Sequence, residues 1–380
     1  MIYLDNAATT YPKPKCVIDS VKKSMINYGA NPGRSGYKMA LETAEKVYES
    51  REALCSLFNI ENPENIVFTL NCTAALNMCI KSLAKRGKRF VCSSLEHNAV
   101  ARPLEKLKKD GVCDYKTAEV DLKNDDITVK NFDSLIDKDT AAVIVSAASN
   151  VTGTVLPVKR ISALCKKKNV PLIVDAAQAA GIIPLDCRKL GIDYLCVAAH
   201  KGLYAPDGTG VLVINTDSVP DTIIEGGTGS NSLSLIQPDF LPDRLESGTI
   251  NTSGVISIKP AVDFILKNGI GNIYSHEYSL MKYLESELKN MKNVKVYSAF
   301  TENRALAPVL SFNIKGLRSE EVSSFLAEKN VCVRAGYHCS FLAHRTLGTL
   351  ETGTVRISPS LFTKKRDINF TINCIYKLQN

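Results

Sequence analysis

The sequence predicts an α/β protein: a large, mostly parallel sheet sandwiched by helices, with a smaller α+β domain on it. Three observations carry this expectation. Between about residues 45 and 215, short apolar runs alternate with longer amphipathic segments; nearly every run is followed at once by polar or small residues; and beyond about residue 255 the texture changes to long polar helices and alternating strands. Near-continuous Val/Ile/Leu/Ala runs suit strands buried on both faces, and the amphipathic segments between them supply the crossovers of a parallel sheet.

The runs lie at residues 64–70 (ENIVFTL), 88–94 (KRFVCSS), 141–149 (AAVIVSAAS), 170–177 (VPLIVDAA), 193–200 (DYLCVAAH) and 208–215 (GTGVLVIN). In open α/β sheets ligands bind outside the carboxyl ends of the strands. The clusters Thr69 to Thr73, Glu96-His97-Asn98, Ser149-Asn150, Asp175 to Gln178 and His200-Lys201 all fall at such ends, so they are expected to converge on one site. In the C-terminal part, 275–291 (SHEYSLMKYLESELKNM) reads as a helix, and 307–316 (APVLSFNIKG) and 330–336 (NVCVRAG) as strands. At 380 residues the chain exceeds the about 250–300 residues at which one core stops growing, so two domains are expected.

Hydrophobic residues at 45% and charged residues at 23% disfavour disorder and a coiled coil. The net charge is +8, but Lys and Arg are interleaved with Asp and Glu, and basic clusters are as short as Lys166-Lys167-Lys168. A surface that tracks a phosphate backbone brings denser runs with interleaved aromatics, so no nucleic-acid partner is expected. The twelve cysteines contain no C-x-x-C pair, which disfavours a zinc ribbon. Several, such as Cys92 and Cys196, sit in apolar runs as small hydrophobes, and free thiols in a reducing compartment are expected. The stretch MIYLDNAATTYPKP lacks an apolar signal core, and no run approaches the ~20 apolar residues that span a bilayer. A cytoplasmic location without membrane contact is the expectation.

Asp175 ends a hydrophobic strand in VDAAQ, where an unpaired carboxylate is costly. It is either a helix N-cap or the group that keeps a pyridinium nitrogen protonated. Lys201 follows a buried run in AAHKG, with Ala198, Ala199 and Gly202 leaving room for a flat ring. Most lysines are solvated surface charges, yet an apolar pocket lowers the amine pKa and fits it for a Schiff base with an aldehyde. Asn71, Cys72 and Thr73 join a strand to a helix, as an anion cup for phosphate or as an ordinary N-cap. His97 is structural or stacks on an aromatic cofactor and passes protons. Arg356 in GTVRIS makes a surface ion pair or clamps a carboxylate, and Cys339 in RAGYHCS is apolar filler or a nucleophile. Asp175, Lys201, the anion cup and His97 together form a consistent set for pyridoxal phosphate.

The segments YLDNAATT (3–10), NPGRSGY (31–37), EHNAVARPL (96–104), SNVTGTVLPV (149–158), VDAAQAAG (174–181), HKGLYAPDGTG (200–210), EGGTGSNS (225–232), RLESGTINTSG (244–254), RAGYHCS and GTVRIS follow one another across almost the whole chain. In these pieces the chain resembles the class V aminotransferase superfamily, specifically the cysteine desulfurases. The resemblance implies fold type I of the pyridoxal-phosphate-dependent transferases. A large cofactor-binding domain over residues 16–256 would carry a mostly parallel seven-stranded sheet, and residues 1–15 and 257–380 would form a small domain bearing Cys339 and Arg356.

By the same resemblance Lys201 holds the cofactor as a Schiff base and removes the substrate's α-proton. Asp175 pairs with the pyridinium nitrogen, Gln178 with the phenolic oxygen, and His97 stacks on the ring. Cys72, Thr73 and His200 fall at the phosphate, and Thr228 reaches the phosphate of the other subunit, which implies a homodimer with shared active sites. Asn150, beside the cofactor, and Arg356 bind the carboxylate of L-cysteine. Cys339 attacks the substrate's sulfur, giving a persulfide and alanine, with Arg334 and His338 as contributors to its thiolate. The sulfur then passes to an acceptor protein or a thiol reductant, because the short RAGYHCS segment resembles the desulfurases whose nucleophile sits on a compact loop.

The chain departs from the family pattern in two places. The phosphate turn reads Asn71-Cys72-Thr73-Ala74 where Gly-Thr-Thr-Glu is common, and Ala198 stands where Ser often contributes a phosphate contact. Selenocysteine lyase uses the same ring chemistry and is the nearest alternative, followed by a class V transaminase or lyase in which Cys339 is incidental. A scaffold with a vestigial pocket is the alternative from another class, and the pairing of Lys201 with Asp175 argues against it.

Overall fold

In the computed structural model, residues 1–33, 36–298, 300 and 305–379 are described. Arg34 and Ser35 of the NPGRSGY segment lie outside them. The chain opens with β1 (Ile2–Tyr3), α1 (Lys15–Asn27), α2 (Lys38–Phe58), β2 (Ile66–Thr69), α3 (Cys72–Leu83), β3 (Arg89–Ser93) and α4 (Asn98–Lys109). It continues through β4 (Asp114–Ala118), α5 (Asp125–Leu135), β5 (Thr140–Ser146), α6 (Val158–Lys167), β6 (Leu172–Asp175), α7 (Cys187–Leu190), β7 (Tyr194–Ala198) and β8 (Gly210–Ile214). After a long irregular stretch come α8 (Thr252–Ile256), α9 (Ile258–Asn268), α10 (Ile270–Lys289), β9 (Val294–Val296), β10 (Leu310–Ile314) and α11 (Ser319–Glu328). The last elements are β11 (Val331–Cys332), β12 (Arg334–Gly336), α12 (Phe341–Leu347), β13 (Thr354–Ile357) and α13 (Lys365–Gln379).

The large sheet has seven strands in the order β2-β8-β7-β6-β5-β3-β4. Four neighbouring pairs are parallel, and β8 runs antiparallel to both of its neighbours. Each of the six apolar runs forms one of these strands. The reason is visible along β5, where Val143 and Val145 enter one apolar core while Ala142 and Ile144 enter the other, all with no exposed surface. Burying each such Val or Ile fully is worth about 1.5–3 kcal/mol. The first core takes Val47, Leu54 and Phe58 of α2 and Ile161 of α6; the second takes Leu76 and Ile80 of α3 and Leu104 of α4.

The seventh strand, β4, has no apolar run. It lies at the sheet edge with the sequence DYKTA and alternates between exposed and covered residues, as a strand with a solvated face does. The expected strand at 330–336 is split: β11 pairs with β1, while β12 pairs with β13 in a four-stranded antiparallel sheet of order β12-β13-β10-β9. A third core, with Leu284, Leu310, Phe312, Val322 and Ile357, backs these small sheets. Leu4 joins it, whereas Ile258, Val262 and Ile265 of α9 and Ile273 of α10 join the first core of the large sheet. We propose that the domain boundary therefore falls within α10 rather than at residue 257.

Two glycines set the distance between the turns that follow β6 and β7. A Cβ on Gly181, which has φ +81°, would lie 2.3 Å from Gly202 O, and a Cβ on Gly202 would lie 2.2 Å from Ala180 O. Only backbones without side chains reach this separation, and it fixes the turn of Lys201 against the segment that follows Gln178.

Candidate active site

Strand register aligns the chemistry. Ser146 of β5 pairs with Asp175 of β6, and Asp175 with Cys196 of β7. Ala198 pairs with Gly210 of β8, and Gly210 with Thr69 of β2. The turns beyond these ends close round a cavity of about 160 Å³. Its walls contain Cys72, Thr73, His97, Asn150, Asp175, Gln178, His200 and Lys201, with Asn71, Ser146 and four alanines, Ala99, Ala148, Ala177 and Ala198.

Each of these side chains is set by its local chain. Asn71 caps α3 by accepting from Ala74 N at 2.9 Å, and the first N–H groups of a helix have no intrahelical acceptor. Cys72, in that first turn, donates its thiol to Asp175 Oδ1 at 3.5 Å. Burial, reinforced by the Asp175 charge, pushes this thiol well above its ordinary pKa, so it stays protonated. Asp175 also accepts from Ala177 N at 2.9 Å, with no salt bridge among the described residues. Gln178 Nε2 donates to Ala7 O at 2.9 Å.

Lys201 sits in the turn after β7. Burial, with help from the Arg356 charge and against the pull of Asp175, lowers its amine to about 8. His97 caps α4, its Nδ1 accepting from Ala99 N at 3.0 Å, which leaves the proton of the neutral ring on Nε2. Burial outweighs the attraction of Asp175 and brings its pKa to about 4. His200 is also lowered to about 4, by burial and then by Lys201, and its Nδ1 lies 3.1 Å from both Thr9 Oγ1 and Asp207 Oδ1.

Cys339 and Arg356 lie off the cavity wall and are joined to it through Asn150. The Asn150 side chain donates to His338 O at 2.7 Å and accepts from Ser340 Oγ at 2.6 Å, while its own carbonyl accepts from Arg356 Nη1 at 3.1 Å. Cys339 occupies the turn of four residues between β12 and α12, where His338 and Cys339 both have positive φ, 49° and 57°. Two consecutive non-glycine residues in that region cost of order 1–3 kcal/mol each. The turn is held by Asn98 N donating to Cys339 O at 2.7 Å and by His338 Nε2, 3.1 Å from Thr354 O. Burial keeps His338 well below its ordinary pKa, so it is neutral and pins the turn. The cation beside the exposed thiol is Arg334, whose Nη2 lies 3.6 Å from Cys339 Sγ.

Thr228 is not brought to this cavity. It belongs to the irregular stretch between β8 and α8, where its hydroxyl lies 3.1 Å from Ser230 Oγ.

The structure adds Asp5, Thr10 and Lys13, and gives Glu96 of the Glu96-His97-Asn98 cluster its contacts. Asp5 Oδ1 lies 2.8 Å from Arg356 Nη2. Lys13 Nζ donates to His200 O at 2.6 Å and to Thr10 Oγ1 at 2.8 Å, and burial lowers it to about 8. Thr10 Oγ1 in turn bonds Lys201 O at 3.1 Å, so residues 9–13 clamp the turn that carries Lys201. Glu96, wholly buried, accepts from Ser93 Oγ and, at 2.8 Å each, from Ser146 N and Oγ; burial raises it to about 7. Asp5 and Glu96 stand inside the segments YLDNAATT and EHNAVARPL, which were the available signals. Nothing in the sequence marks Lys13.

The family model for class-V aminotransferases matches residues 2–370. The chain belongs to that family. A probable cysteine desulfurase of Methanothermobacter thermautotrophicus is 31% identical over 97% of this chain and 92% of its own, and one of Borreliella burgdorferi is 30% identical over 97% and 89%. The apo structure of a cysteine desulfurase from Thermococcus onnurineus has a TM-score of 0.91 at 29% identity, covering 99% of this chain and 94% of its own. Enzymes of this family depend in general on pyridoxal phosphate.

Proposed function

We propose that the chain is a pyridoxal-phosphate-dependent cysteine desulfurase that converts L-cysteine to L-alanine and retains the sulfur on Cys339 as a persulfide. The observation that carries this reading is that Lys201 and Asp175 share one cavity whose Asn150 is bonded both to Arg356 and to the Cys339 turn. The similarity to proteins named cysteine desulfurase supports it.

The donor set fits the cofactor. A buried carboxylate without a salt bridge, Asp175, suits a pyridinium nitrogen; the start of α3 with Thr73, together with His200, suits the phosphate; Gln178 suits the phenolic oxygen; and the alanines leave space for a ring beside His97. When bound, pyridoxal phosphate supplies a sink for the electron pair left on the substrate's α-carbon.

The chain's own groups do the rest. The lowered amine of Lys201 is free of its proton often enough near neutral pH to take the α-proton. Arg356 receives the substrate carboxylate; its buried Nε has no partner among the described residues, while Nη1 and Nη2 each give one N–H, to Asn150 O and Asp5 respectively. The Cys339 sulfur, 3.6 Å from Arg334 Nη2, attacks as thiolate and forms an S–S bond to the substrate's sulfur as the Cβ–S bond breaks. The carbon fragment takes up a proton and leaves as alanine. A turn of four residues keeps the persulfide at the site, so an acceptor protein or a thiol reductant collects the sulfur there.

The reading includes a homodimer in which Thr228 serves the partner's cavity. It is supported by the separation of Thr228 from its own cavity and by the exposed apolar side chains of Leu233, Leu235 and Ile236 on the same stretch. It also includes a cytoplasmic location; no helix among the described residues is long and apolar enough to cross a membrane.

The test is a visible absorption band of bound cofactor, lost in Lys201→Ala, together with alanine formation from L-cysteine that a thiol reductant accelerates. Cys339→Ser is expected to keep the band and lose desulfuration. A protein without a band, or one whose Cys339→Ser variant still releases sulfur from cysteine, sinks the proposal.

A further inference from the structure

Behind the main cavity lies a second, smaller one of about 20 Å³. One water needs about 10–15 Å³ of such space. The two cavities share Ala177, Gln178 and Lys201 as wall residues. The wall of the smaller one also contains Glu277 of α10, which is 1% exposed. Its Oε2 has no hydrogen-bond partner among the described residues. The backbone N–H of Leu361 serves the same carboxyl group, and burial raises its pKa from the usual carboxylate range to about 8. The cavity's other titratable groups are Tyr204 and Lys201; the N-terminal segment and the segment after β13 contribute only Asn6, Thr10, Ser358 and Ser360 as polar side chains.

A buried carboxyl oxygen with no partner is costly as an anion and, as a neutral acid, carries an O–H that needs an acceptor. Gln178 offers one. Its Nε2 is committed to Ala7 O at 2.9 Å, which fixes the amide's orientation and leaves Oε1 without a protein donor among the described residues. The cavity that both residues line has room for one water, which would accept from Glu277 and donate to Gln178 Oε1. With both amide ends held, the second N–H of Gln178 is kept for the main cavity.

We propose that Glu277 is a positioning residue of this site: a neutral carboxylic acid that, through one water in the smaller cavity, fixes the side-chain amide of Gln178. This rests on the proposed function for what Gln178 then binds, the phenolic oxygen of the cofactor. The arrangement itself does not depend on it.

The experiment has two readouts. The infrared difference between the wild-type protein and Glu277→Gln at pH 6.5–7 is expected to contain the C=O stretch of a protonated carboxyl group, with cofactor present or removed; its absence overturns the neutral acid. In the holoenzyme, Glu277→Leu is expected to raise the pH midpoint of the cofactor's visible band by about one unit, the size of one lost hydrogen bond to the more charged form. Glu277→Gln, which keeps a donor, is expected to restore the wild-type midpoint. A Glu277→Leu holoenzyme with the wild-type midpoint and only a lower melting temperature overturns the positioning role. If Glu277→Leu does not fold, the infrared difference still decides, because Glu277→Gln has nearly the wild-type shape. A wild-type protein with no visible band overturns the proposed function instead, and the infrared arm then tests Glu277 alone.

Discussion

Arg356 Nη2 lies 2.8 Å from Asp5 Oδ1, and this ion pair joins the N-terminal segment to the strand that carries the candidate carboxylate clamp. The guanidinium is 1% exposed and the carboxylate 21%. Asp5 is close to the chain start, yet from there the same segment reaches Ser358 through Ala7 N at 2.8 Å, Gln178 through Ala7 O at 2.9 Å, and the turn of Lys201 through Thr10. Substrate clamp, cofactor wall and reactive lysine are thus tied by one short piece of chain.

Asp5→Asn removes the countercharge while keeping the shape. The remaining guanidinium is buried, with the Asn150 carbonyl accepting from its Nη1, so unfolding free energy is expected to fall by about 2–3 kcal/mol, between the values for exposed and fully buried pairs. Urea unfolding measures it, and a midpoint equal to wild type refutes the pair's role. Arg356→Lys loses the planar fork, and KM for L-cysteine is expected to rise about tenfold or more with the visible band retained.

Arg334 supplies the charge next to Cys339 at 3.6 Å. Arg334→Ala is expected to slow alkylation of Cys339 by iodoacetamide at pH 7 roughly fivefold, since the thiolate is the reacting form and loses its neighbouring cation. His338→Ala is expected to act differently, by loosening the turn through the lost Thr354 contacts. Mass spectrometry of the Cys339 peptide separates it from the exposed Cys16. Equal rates in Arg334→Ala and wild type exclude the electrostatic role.

The strands that position the site were legible because they are covered on both faces, as the unbroken run through Val143, Ile144 and Val145 illustrates. The edge strand β4 was not, since a half-solvated strand such as DYKTA carries no excess of apolar residues. Asp175, Lys201, His97 and Gln178 could be placed because Asp175 ends a strand and each of the others lies within four residues after one. Lys13, Asp5 and Glu277 could not: their roles arise from contacts across 187, 351 and, in the case of Glu277 and the cavity, many intervening residues, and periodicity holds no record of such pairings. The left-handed turn at His338 and Cys339 was equally hidden, because positive φ is uncommon for any non-glycine residue, and even the several-fold enrichment of His does not mark a single position.

Glu96 gives the fold a pH dependence of known sign. Its folded pKa is raised from 4.5 to about 7 by burial, so the folded state holds a proton that the unfolded chain releases, and its contribution to stability is lost as pH rises between those values. Relative to Glu96→Gln, which does not titrate, wild type is expected to lose up to about 3 kcal/mol between pH 4.5 and 7. Denaturant unfolding at both ends of the window measures this. A difference between the two proteins that does not change with pH rules out titration of Glu96 in that range.

Lys201 shows the stability cost of a reactive amine. Its folded pKa of about 8 lies below the ordinary 10.5, and burial is the main cause. A base with a lowered folded pKa disfavours the fold most where the free amine is charged in the unfolded chain, that is, fully below pH 8, and the penalty fades as pH rises toward 10.5. Replacing the amine by an uncharged side chain of similar length removes it. In protein stripped of cofactor, Lys201→Met is therefore expected to be more stable than wild type at pH 7, by up to about 3 kcal/mol, with the gain shrinking as pH approaches 10. The same substitution removes the cofactor's visible band and all desulfuration, so one residue trades stability against activity. A Lys201→Met protein no more stable than wild type at pH 7 would place the amine in a solvated, uncompressed setting and would remove the basis for its action as the proton acceptor.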